Sequence, residues 1–401
     1  MLKDKNVVLG ITGGIAAYKA AELTRELLKR GATVKVIMTE NAARFIGPLT
    51  LQTLSGNPVY SDMFSLAADS EIPHISLAQS ADIIVVAPAT ANIIGKIASG
   101  IADDLLSTTI IATKAPVLIC PAMNSNMYDN PILRSNIDKL SSLGYLFVNA
   151  GYGELACKSR GPGRLPDPGD IAEEVEVVLT ENNLEGHRIL ITAGPTIESF
   201  DPVRYISNHS SGKMGYALAI MARRRGADVT LISGSTTLSM PAGVKFIGVL
   251  SAEEMREAVM EHLEDSTVII KAAAVADYRP PTALDSKIKK KDEELDVCLE
   301  RTPDIISEVS DRKENRILVG FAMETENLVE NAKSKMIARD MDLIVANELG
   351  RPGSGFQHDT NIVKIIDRAG GIEELPLMDK KDVADRILDR VLEISGRRGE
   401  K

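Results

Sequence analysis

One local order of elements occurs twice in this chain, and it restricts the possible folds more than any other feature. Residues 7–11 are apolar and β-rich, residues 15–30 carry helical spacing, Gly31 ends that helix, and residues 33–38 read as a second strand. The order recurs as residues 188–192, 213–225, Gly226 and 229–232, so that Lys29-Arg30-Gly31-Ala32 is echoed by Arg224-Arg225-Gly226-Ala227. A strand followed by a helix and another strand makes a βαβ unit, whose strands lie parallel with the helix packed on one face. Two such openings predict an α/β chain with two open, mostly parallel Rossmann-like sheets, each flanked by helices.

Further short apolar runs supply the remaining strands. They fall at 83–87 and 117–120 in the first half, and at 268–271, 317–320 and 343–346 in the second. Residues 362–367, 368–371 and 374–377 read as strand, turn and strand, and a charged helix from Lys381 closes the chain. A Pro/Gly-rich stretch at 161–170, a helix at 171–180 and a polar stretch at 181–186 separate the halves, which predicts domains at 1–183 and 184–401. Two domains fit 401 residues with room for a sizeable core in each.

A formal net charge of −10 opposes a broad attraction to nucleic acid or to an anionic membrane, so small molecules are the expected partners. Cys120, Cys157 and Cys298 make neither a disulfide framework nor a CxxC pair, which points to a reducing compartment and a cytoplasmic location. The apolar stretch 7–18 superficially imitates a signal peptide, but Thr12-Gly13-Gly14 within it suits a strand and phosphate-type turn better. No segment approaches the ~20 apolar residues of a membrane span.

In open parallel sheets ligands bind beyond the carboxyl ends of the strands, so the segments after each strand are where chemistry is sought. In the first half these are Thr12-Gly13-Gly14, Thr39-Glu40-Asn41, Pro88-Ala89-Thr90-Ala91-Asn92 and Pro121-Ala122-Met123-Asn124. Glycines before a helix expose backbone N–H groups to a phosphate, and Thr39 and Thr90 offer hydroxyls to it. The turn is not GxGxxG, and Glu40 is the sole acid near the end of the second strand, so a mononucleotide-type cofactor fits better than NAD. His74, just before an apparent helix, reads either as a base or substrate hydrogen-bond partner or as a structural imidazole. Cys157, ahead of a flexible stretch at 158–167, reads as a thiol on a lid or as a small buried apolar group.

The second half continues past its turn into a long polar segment holding Arg204, Asn208, Ser210, Ser211, Gly212 and Lys213. Ser211-Gly212-Lys213-Met214 is not a P-loop, because Ser207 stands at the earlier glycine position and Met214 at the magnesium-ligating one. Phosphate contact remains available from the backbone at that helix start and from Lys287, Lys289, Lys290 and Lys291. Asp277 follows a strand and suits contact with a nucleotide or its magnesium.

These motifs together resemble, along nearly the whole chain, the fused phosphopantothenoylcysteine decarboxylase and phosphopantothenate–cysteine ligase of coenzyme A biosynthesis. The first half is similar to homo-oligomeric flavin-containing cysteine decarboxylases through Thr12-Gly13-Gly14-Ile15-Ala16, PATANIIGK and GIADDLL within 88–106, PAMNSNM at 121–127, and Cys157. The second half resembles the ligase through ITAGPT at 191–196, DPVRYISNHSSGKMG at 201–215, AAAVADY at 272–278, KIKK at 287–290 and GFAMET at 320–325.

The resemblance implies FMN at Gly13, Gly14, Thr39 and Thr90, with His74 as base, Asn124 on the substrate carboxylate and Cys157 as proton donor. It implies a redox-neutral decarboxylation of 4′-phosphopantothenoylcysteine, in which flavin oxidises the thiol-bearing carbon and later returns the electrons. For the second half it implies that 4′-phosphopantothenate attacks CTP, with Mg2+ bound, to give an acyl-cytidylate that the amine of L-cysteine opens. Lys287 would stabilise the forming acyl-cytidylate, and Asn208, helped by Arg204, would hold it. Lys271, Ala272, Ala273, Asp277, Lys287, Pro303, Asp304, Ile305, Ile306, Phe321, Lys335 and Arg339 match nucleotide-binding positions, with Asp277 toward the metal. The family also implies a homo-oligomer, trimer-based in the first half and dimeric in the second, with sites shared between subunits.

Some positions depart from the family pattern. Tyr128 stands where tryptophan is common, Lys158-Ser159-Arg160 follows Cys157 in place of a glycine-rich start, and Gly163-Arg164-Leu165-Pro166-Asp167 replaces the usual GRM with a following glutamate. Arg339 replaces a lysine, keeping the charge but not the geometry. Two rival readings are a flavin-binding regulatory protein without decarboxylase activity and a two-domain NAD(P)-dependent dehydrogenase.

Overall fold

The computed structural model describes residues 2–64, 72–156, 158, 160–288, 297–324, 327–348, 353 and 355–399. The chain divides into two compact units, Met1–Thr180 and Glu181–Lys401.

The first unit is built on strands β1 (Asn6–Ile11), β2 (Thr33–Met38), β3 (Val59–Tyr60), β4 (Ile83–Ala89), β5 (Val117–Pro121) and β6 (Leu146–Phe147). They form one parallel sheet in the order β3-β2-β1-β4-β5-β6. Alternate residues of a strand face opposite sides. Val7, Leu9 and Ile11 of β1 accordingly enter one apolar cluster, while Val8 enters the other. Both faces are buried, as a parallel sheet requires. A separate antiparallel hairpin, β7 (Gly151–Glu154) with β8 (Arg160–Arg164), occupies part of the stretch that the sequence reads as flexible.

The second unit opens with β9 (Arg188–Ala193), a small hairpin of β10 (Ile197–Ser199) and β11 (Tyr205–Ser207), then β12 (Asp228–Ser233), β13 (Lys245–Gly248) and β14 (Val268–Lys271). A two-residue pair, β15 (Tyr278–Arg279) and β16 (Glu300–Arg301), precedes β17 (Ile317–Glu324), β18 (Leu343–Glu348), β19 (Thr360–Asp367) and β20 (Ile372–Asp379). The main sheet runs β13-β12-β9-β14-β17-β18-β19-β20, parallel as far as β18 and antiparallel beyond it. Its first six strands repeat the order of the first unit. Ile189, Ile191 and Ala193 of β9 face one cluster, and Leu190 faces the other.

The sequence echo has a structural cause. Helix Lys19–Lys29 ends at Arg30, after which Gly31 has φ +93°; Gly31 N–H donates to Leu28 O at 2.9 Å and Ala32 N–H to Leu27 O at 3.1 Å. Helix Lys213–Arg224 ends identically: Gly226 has φ +87°, with Gly226 N–H to Arg223 O and Ala227 N–H to Ala222 O, both 3.0 Å. This pair of bonds is a Schellman cap, which needs a left-handed residue and therefore favours glycine. The arginine before each glycine pairs with the unit's last helix. Arg30 bonds Glu176 and, at 3.1 Å, Glu173 on helix Pro168–Leu179, while Arg225 forms ion pairs with Asp385 and Asp389 at 2.8 and 2.9 Å on helix Lys380–Gly399.

Most strands match the sequence reading or extend it by a residue or two, while β17 runs four residues beyond the expected 317–320 and the helix expected at 171–180 spans Pro168–Leu179. The predicted helix at 15–30 differs in its first turn, since Ile15–Tyr18 is a 3-10 turn and the α-helix begins at Lys19. His74 lies within helix Pro73–Ser80 rather than ahead of it. Among the described residues no helix is long and apolar enough to cross a membrane. Gly226→Ala would put a Cβ on a left-handed residue and is expected to destabilise the protein by about 1–2 kcal/mol. Urea denaturation followed by circular dichroism would detect this as a lower midpoint, and an unchanged midpoint would contradict the capping account.

Candidate active sites at the two sheet switch points

Strand order reverses between β1 and β4 in the first unit and between β9 and β14 in the second, which opens a crevice at the carboxyl ends of each pair. In the first unit the crevice is held by Thr12. Its buried hydroxyl donates to Pro88 O at 2.7 Å and accepts the Thr90 N–H at 3.1 Å, tying the end of β1 to the end of β4. Thr39 is tied in as well, its N–H donating to Ile11 O at 3.1 Å and its hydroxyl accepting the Ala42 N–H at 3.3 Å. A side chain at Gly13 would stand 2.4 Å from Asn41 Cβ, so the turn closes on the loop after β2 only because that position has none.

Gly13, Gly14, Thr90 and Asn124 line one cavity of about 850 Å³. Its other walls come from Lys19, Met123 and the β7–β8 hairpin, which contributes Glu154, Gly163 and Arg164. The hairpin is fastened to the Asn124 segment by Met123 N–H to Gly163 O and by Ser125 Oγ to Pro162 O, both 2.9 Å. Asn124 Oδ1 accepts the Asn126 N–H at 2.9 Å, so the group it can offer an anion is its amide NH2. Ile15, Tyr18 and Met127 line the cavity yet remain 59%, 55% and 48% exposed. Thr39 and His74 are not among the lining residues. His74 Nδ1 is buried and has no hydrogen-bond partner among the described residues. Cys157 lies outside the described residues.

The second switch point repeats the threonine device. Thr192, fully buried, accepts the Ala273 N–H on its hydroxyl at 3.3 Å, and its carbonyl accepts the Ala272 N–H at 3.2 Å. Thr196 then receives the Ala276 N–H at 2.9 Å. The segment beyond β14 is thereby aligned along the crevice. There, Lys271, Ala273, Asp277, Pro303, Asp304, Ile305, Ile306, Phe321, Lys335 and Arg339 line a cavity of about 510 Å³.

Burial pushes the Lys271 ammonium down to about 8; Asp304 opposes the shift and Arg339 adds to it. Arg339 pairs with Asp304 at 2.8 Å. Four cationic side chains, Lys271, Arg301, Lys335 and Arg339, and an exposed carboxylate, Asp277, around one polar cavity suit a polyphosphate with a hydrated cation, since magnesium is commonly held by one or two carboxylates together with phosphate oxygens. Among the described residues no group of three or more His, Cys, Asp or Glu side chains forms a metal cage.

Ala272 and Ala273 also border a smaller cavity of about 210 Å³, with Ser210, Ser211, Gly212, Lys213, Phe321 and Lys380. A segment after β18 roofs it. Ser211 Oγ bonds Phe356 O, Lys213 Nζ donates to Gln357 O and Asp359 Oδ1 at 2.7 Å, and Lys380 Nζ donates to Gly355 O at 2.9 Å. Burial pushes Lys380 down to about 8, nearby Lys213 pushes the same way, and Asp359 and Asp379 oppose. Sequence reasoning did not single out Lys380. A cation in the first turn of a helix, where the dipole disfavours it, was the available signal.

Asn208 Nδ2 donates to Ala274 O at 3.0 Å, placing it beside this smaller cavity. Lys287 is exposed and, like Arg204, is not a lining residue of either cavity. Lys289, Lys290, Lys291 and Thr325 lie outside the described residues.

Comparison with known proteins agrees with this two-unit organisation. The flavoprotein family model matches residues 1–180, and the model for the DNA/pantothenate metabolism flavoprotein C-terminal domain matches residues 184–394. The chain is 50% identical over 405 residues to the coenzyme A biosynthesis bifunctional protein CoaBC of Bacillus subtilis (strain 168), covering 100% of each. It is 45% identical to the CoaBC of Escherichia coli (strain K12), covering 98% of this chain and 97% of that one. Among solved structures, the C-terminal domain of a CoaBC is 42% identical, covering 54% of this chain and 100% of that chain, with a TM-score of 0.47. The FMN-dependent cysteine decarboxylase SpaF is 27% identical, covering 45% of this chain and 100% of that chain, with a TM-score of 0.40. With a relative half identical across its full length and a family model on each unit, this chain belongs to the family of bifunctional coenzyme A biosynthesis proteins.

Proposed function

We propose that the second unit joins 4′-phosphopantothenate to L-cysteine at the expense of CTP, and that the first unit decarboxylates the product, 4′-phosphopantothenoylcysteine, to 4′-phosphopantetheine with FMN. The observation that carries the ligase reading is the gathering of Lys271, Asp304, Lys335 and Arg339 around one cavity beside Asp277. Lys271, Lys335 and Arg339 offset the charge of a triphosphate, and Asp277 would hold its magnesium. The phosphopantothenate carboxylate attacks the α-phosphorus, the pyrophosphate bond breaks, and the cysteine amine then displaces the nucleotide monophosphate from the acyl carbon. Lys287 stabilises charge building on the α-phosphate, and Asn208 with Arg204 holds the acyl-nucleotide for the amine. Pyrophosphate, CMP and carbon dioxide are the by-products of the two steps.

The 850 Å³ cavity supports a flavin with Gly13, Gly14 and Thr90 at the end where a backbone turn can meet a phosphate. Bound flavin supplies the temporary electron sink that a carboxylate loss needs and that protein side chains lack. Asn124 donates its amide to the substrate carboxylate, His74 takes up a proton, and Cys157 gives one back. The exposed apolar rim of Ile15, Tyr18 and Met127, and the absence of His74 from the lining that holds Gly13, Gly14, Thr90 and Asn124, support a site completed by another copy of the chain. A regulatory flavoprotein without turnover is not favoured, since the family match runs through both units.

The purified protein is expected to be yellow and to convert phosphopantothenate, cysteine, CTP and magnesium to phosphopantetheine, with carbon dioxide and pyrophosphate released. Absence of flavin, or pyrophosphate release that ignores phosphopantothenate, would reject the reading for the corresponding unit; running ATP beside CTP tests the nucleotide.

Lys271 yields a pH prediction. Its ammonium is present below about 8 and lost above it, so CTP affinity is expected to fall between pH 7 and pH 9. Calorimetry should show that fall in the natural protein and a flat profile in Lys271→Met; an identical pH profile in both would exclude Lys271 from the polyphosphate site.

A further inference from the structure

Asp201 opens the turn between β10 and β11, and its side chain is fully buried. One carboxylate oxygen, Oδ1, accepts the N–H groups of Val203 at 2.8 Å and Arg204 at 2.9 Å, closing the turn across Pro202, which has no N–H to offer. The other, Oδ2, accepts the Ile288 N–H at 3.0 Å from a segment far along the chain. Arg204 completes the clasp: Nη2 donates to Ile288 O at 3.1 Å, and Nη1 stands 3.8 Å from Asp201 Oδ2. Ile288 is thus gripped at both its N–H and its carbonyl. Leu284 N–H donates to Phe200 O at 2.8 Å, so the segment is fastened to the same turn on either side of Lys287.

We propose that Asp201 is a positioning residue for the acyl-nucleotide step, holding Lys287 in place through the backbone of Ile288. The inference rests on the role given to Lys287 above. A turn of this kind needs one acceptor oxygen, which asparagine supplies equally well. Burying a carboxylate there costs desolvation free energy unless both oxygens are bonded. The second oxygen and the charge are spent on Ile288 and Arg204, which lie on the path to Lys287. The Ile288 N–H, against the opposing effect of burial and with help from the Val203 and Arg204 N–H groups and the Arg204 charge, holds the Asp201 carboxyl below the usual carboxylate range. Lys287 is exposed and reaches the reacting phosphate only from a fixed backbone; an unfastened segment would leave the ammonium dispersed, and small misplacements of a catalytic group are expensive in rate.

Asp201→Asn in the full chain separates the two jobs. The amide oxygen keeps the turn, while the NH2 group faces the Ile288 N–H, donor against donor. Pyrophosphate release from phosphopantothenate and magnesium–CTP, without cysteine, is expected to slow by about 10- to 100-fold, while the CTP dissociation constant moves by less than about threefold. Decarboxylation of supplied phosphopantothenoylcysteine should stay unchanged. If Asp201 acts through Lys287, the double variant with Lys287→Gln is no slower than Lys287→Gln alone.

Normal pyrophosphate release from Asp201→Asn overturns the proposal while leaving the ligase reading intact. So does a loss of CTP affinity equal to the loss of rate, or a double variant slowed by both factors. Normal release from Lys287→Gln removes the role of Lys287 and this inference with it. Should Asp201→Asn fail to fold, Ile288→Pro removes the donor from the other side; the same slowing at near-normal CTP affinity supports the proposal, and normal release overturns it.

Discussion

The parallel pairing of the first and fourth strands of each main sheet, counted along the chain, is the constraint on which both sites depend. Val7 to Gly10 of β1 pair with residues 83–86 of β4, and Ile189 to Thr192 of β9 pair with Val268 to Lys271 of β14. Because neighbouring strands on either side of that pair lead away in opposite directions, the loops beyond it cannot cover the gap. What holds the gap at a fixed width is a buried threonine in each unit, Thr12 and Thr192, whose hydroxyl bonds the backbone beyond the partner strand. A buried hydroxyl without such a partner would cost about 1–3 kcal/mol, so the bond is both an alignment device and a condition of placing the residue there.

From the same frame the two units arrive at different chemistry by what they add beyond the glycine. The first adds a short 3-10 turn and then a helix, leaving a roomy cavity walled by alanine, methionine and the aliphatic stems of longer side chains. The second inserts the β10–β11 hairpin and a run of serines before its helix, and gathers lysine and arginine at the crevice. An apolar slot suits a flat cofactor that stays. A charged one suits a polyphosphate that enters, reacts and departs. The proposed functions follow that division.

Much of this was legible in the sequence because the cues were local. Gly31 and Gly226 announce helix ends that only a left-handed residue can make, and the apolar runs at β1, β4, β9 and β14 show no polar alternation because both faces are covered. The nucleotide positions drawn from motif resemblance, Ala272 and Lys287 apart, gather in one cavity for the same reason, since most of them follow a strand or begin a helix. The β7–β8 hairpin was not legible: Gly151-Tyr152-Gly153-Glu154 and Arg160-Gly161-Pro162-Gly163-Arg164 have turn composition, and their pairing depends on being fastened to Met123 and Ser125. Lys380 and Asp201 were missed for a related reason. Each acts through partners distant in sequence, and no spacing rule connects Asp201 with Ile288 or Lys380 with Lys213.

The charge distribution shows why the net value says little about a partner. The chain carries a formal charge of −10, yet the second switch point concentrates Lys213, Lys271, Lys335, Arg339 and Lys380 within two adjoining cavities. Two of these, Lys213 and Lys380, begin helices, where the backbone dipole already opposes a positive charge. Carbonyl oxygens of Gly355, Gln357 and His358 and the Asp359 carboxylate hold them there. Burial is the main reason that the proton affinity of Lys380 and Lys271 is lowered, and repulsion from Lys213 and from Arg339, respectively, adds to it against the opposing carboxylates. An anion entering the crevice relieves that repulsion, whereas a neutral ligand does not. A crevice of this charge favours a polyphosphate, as in the proposed function, over a neutral ligand before any base or acyl group is read.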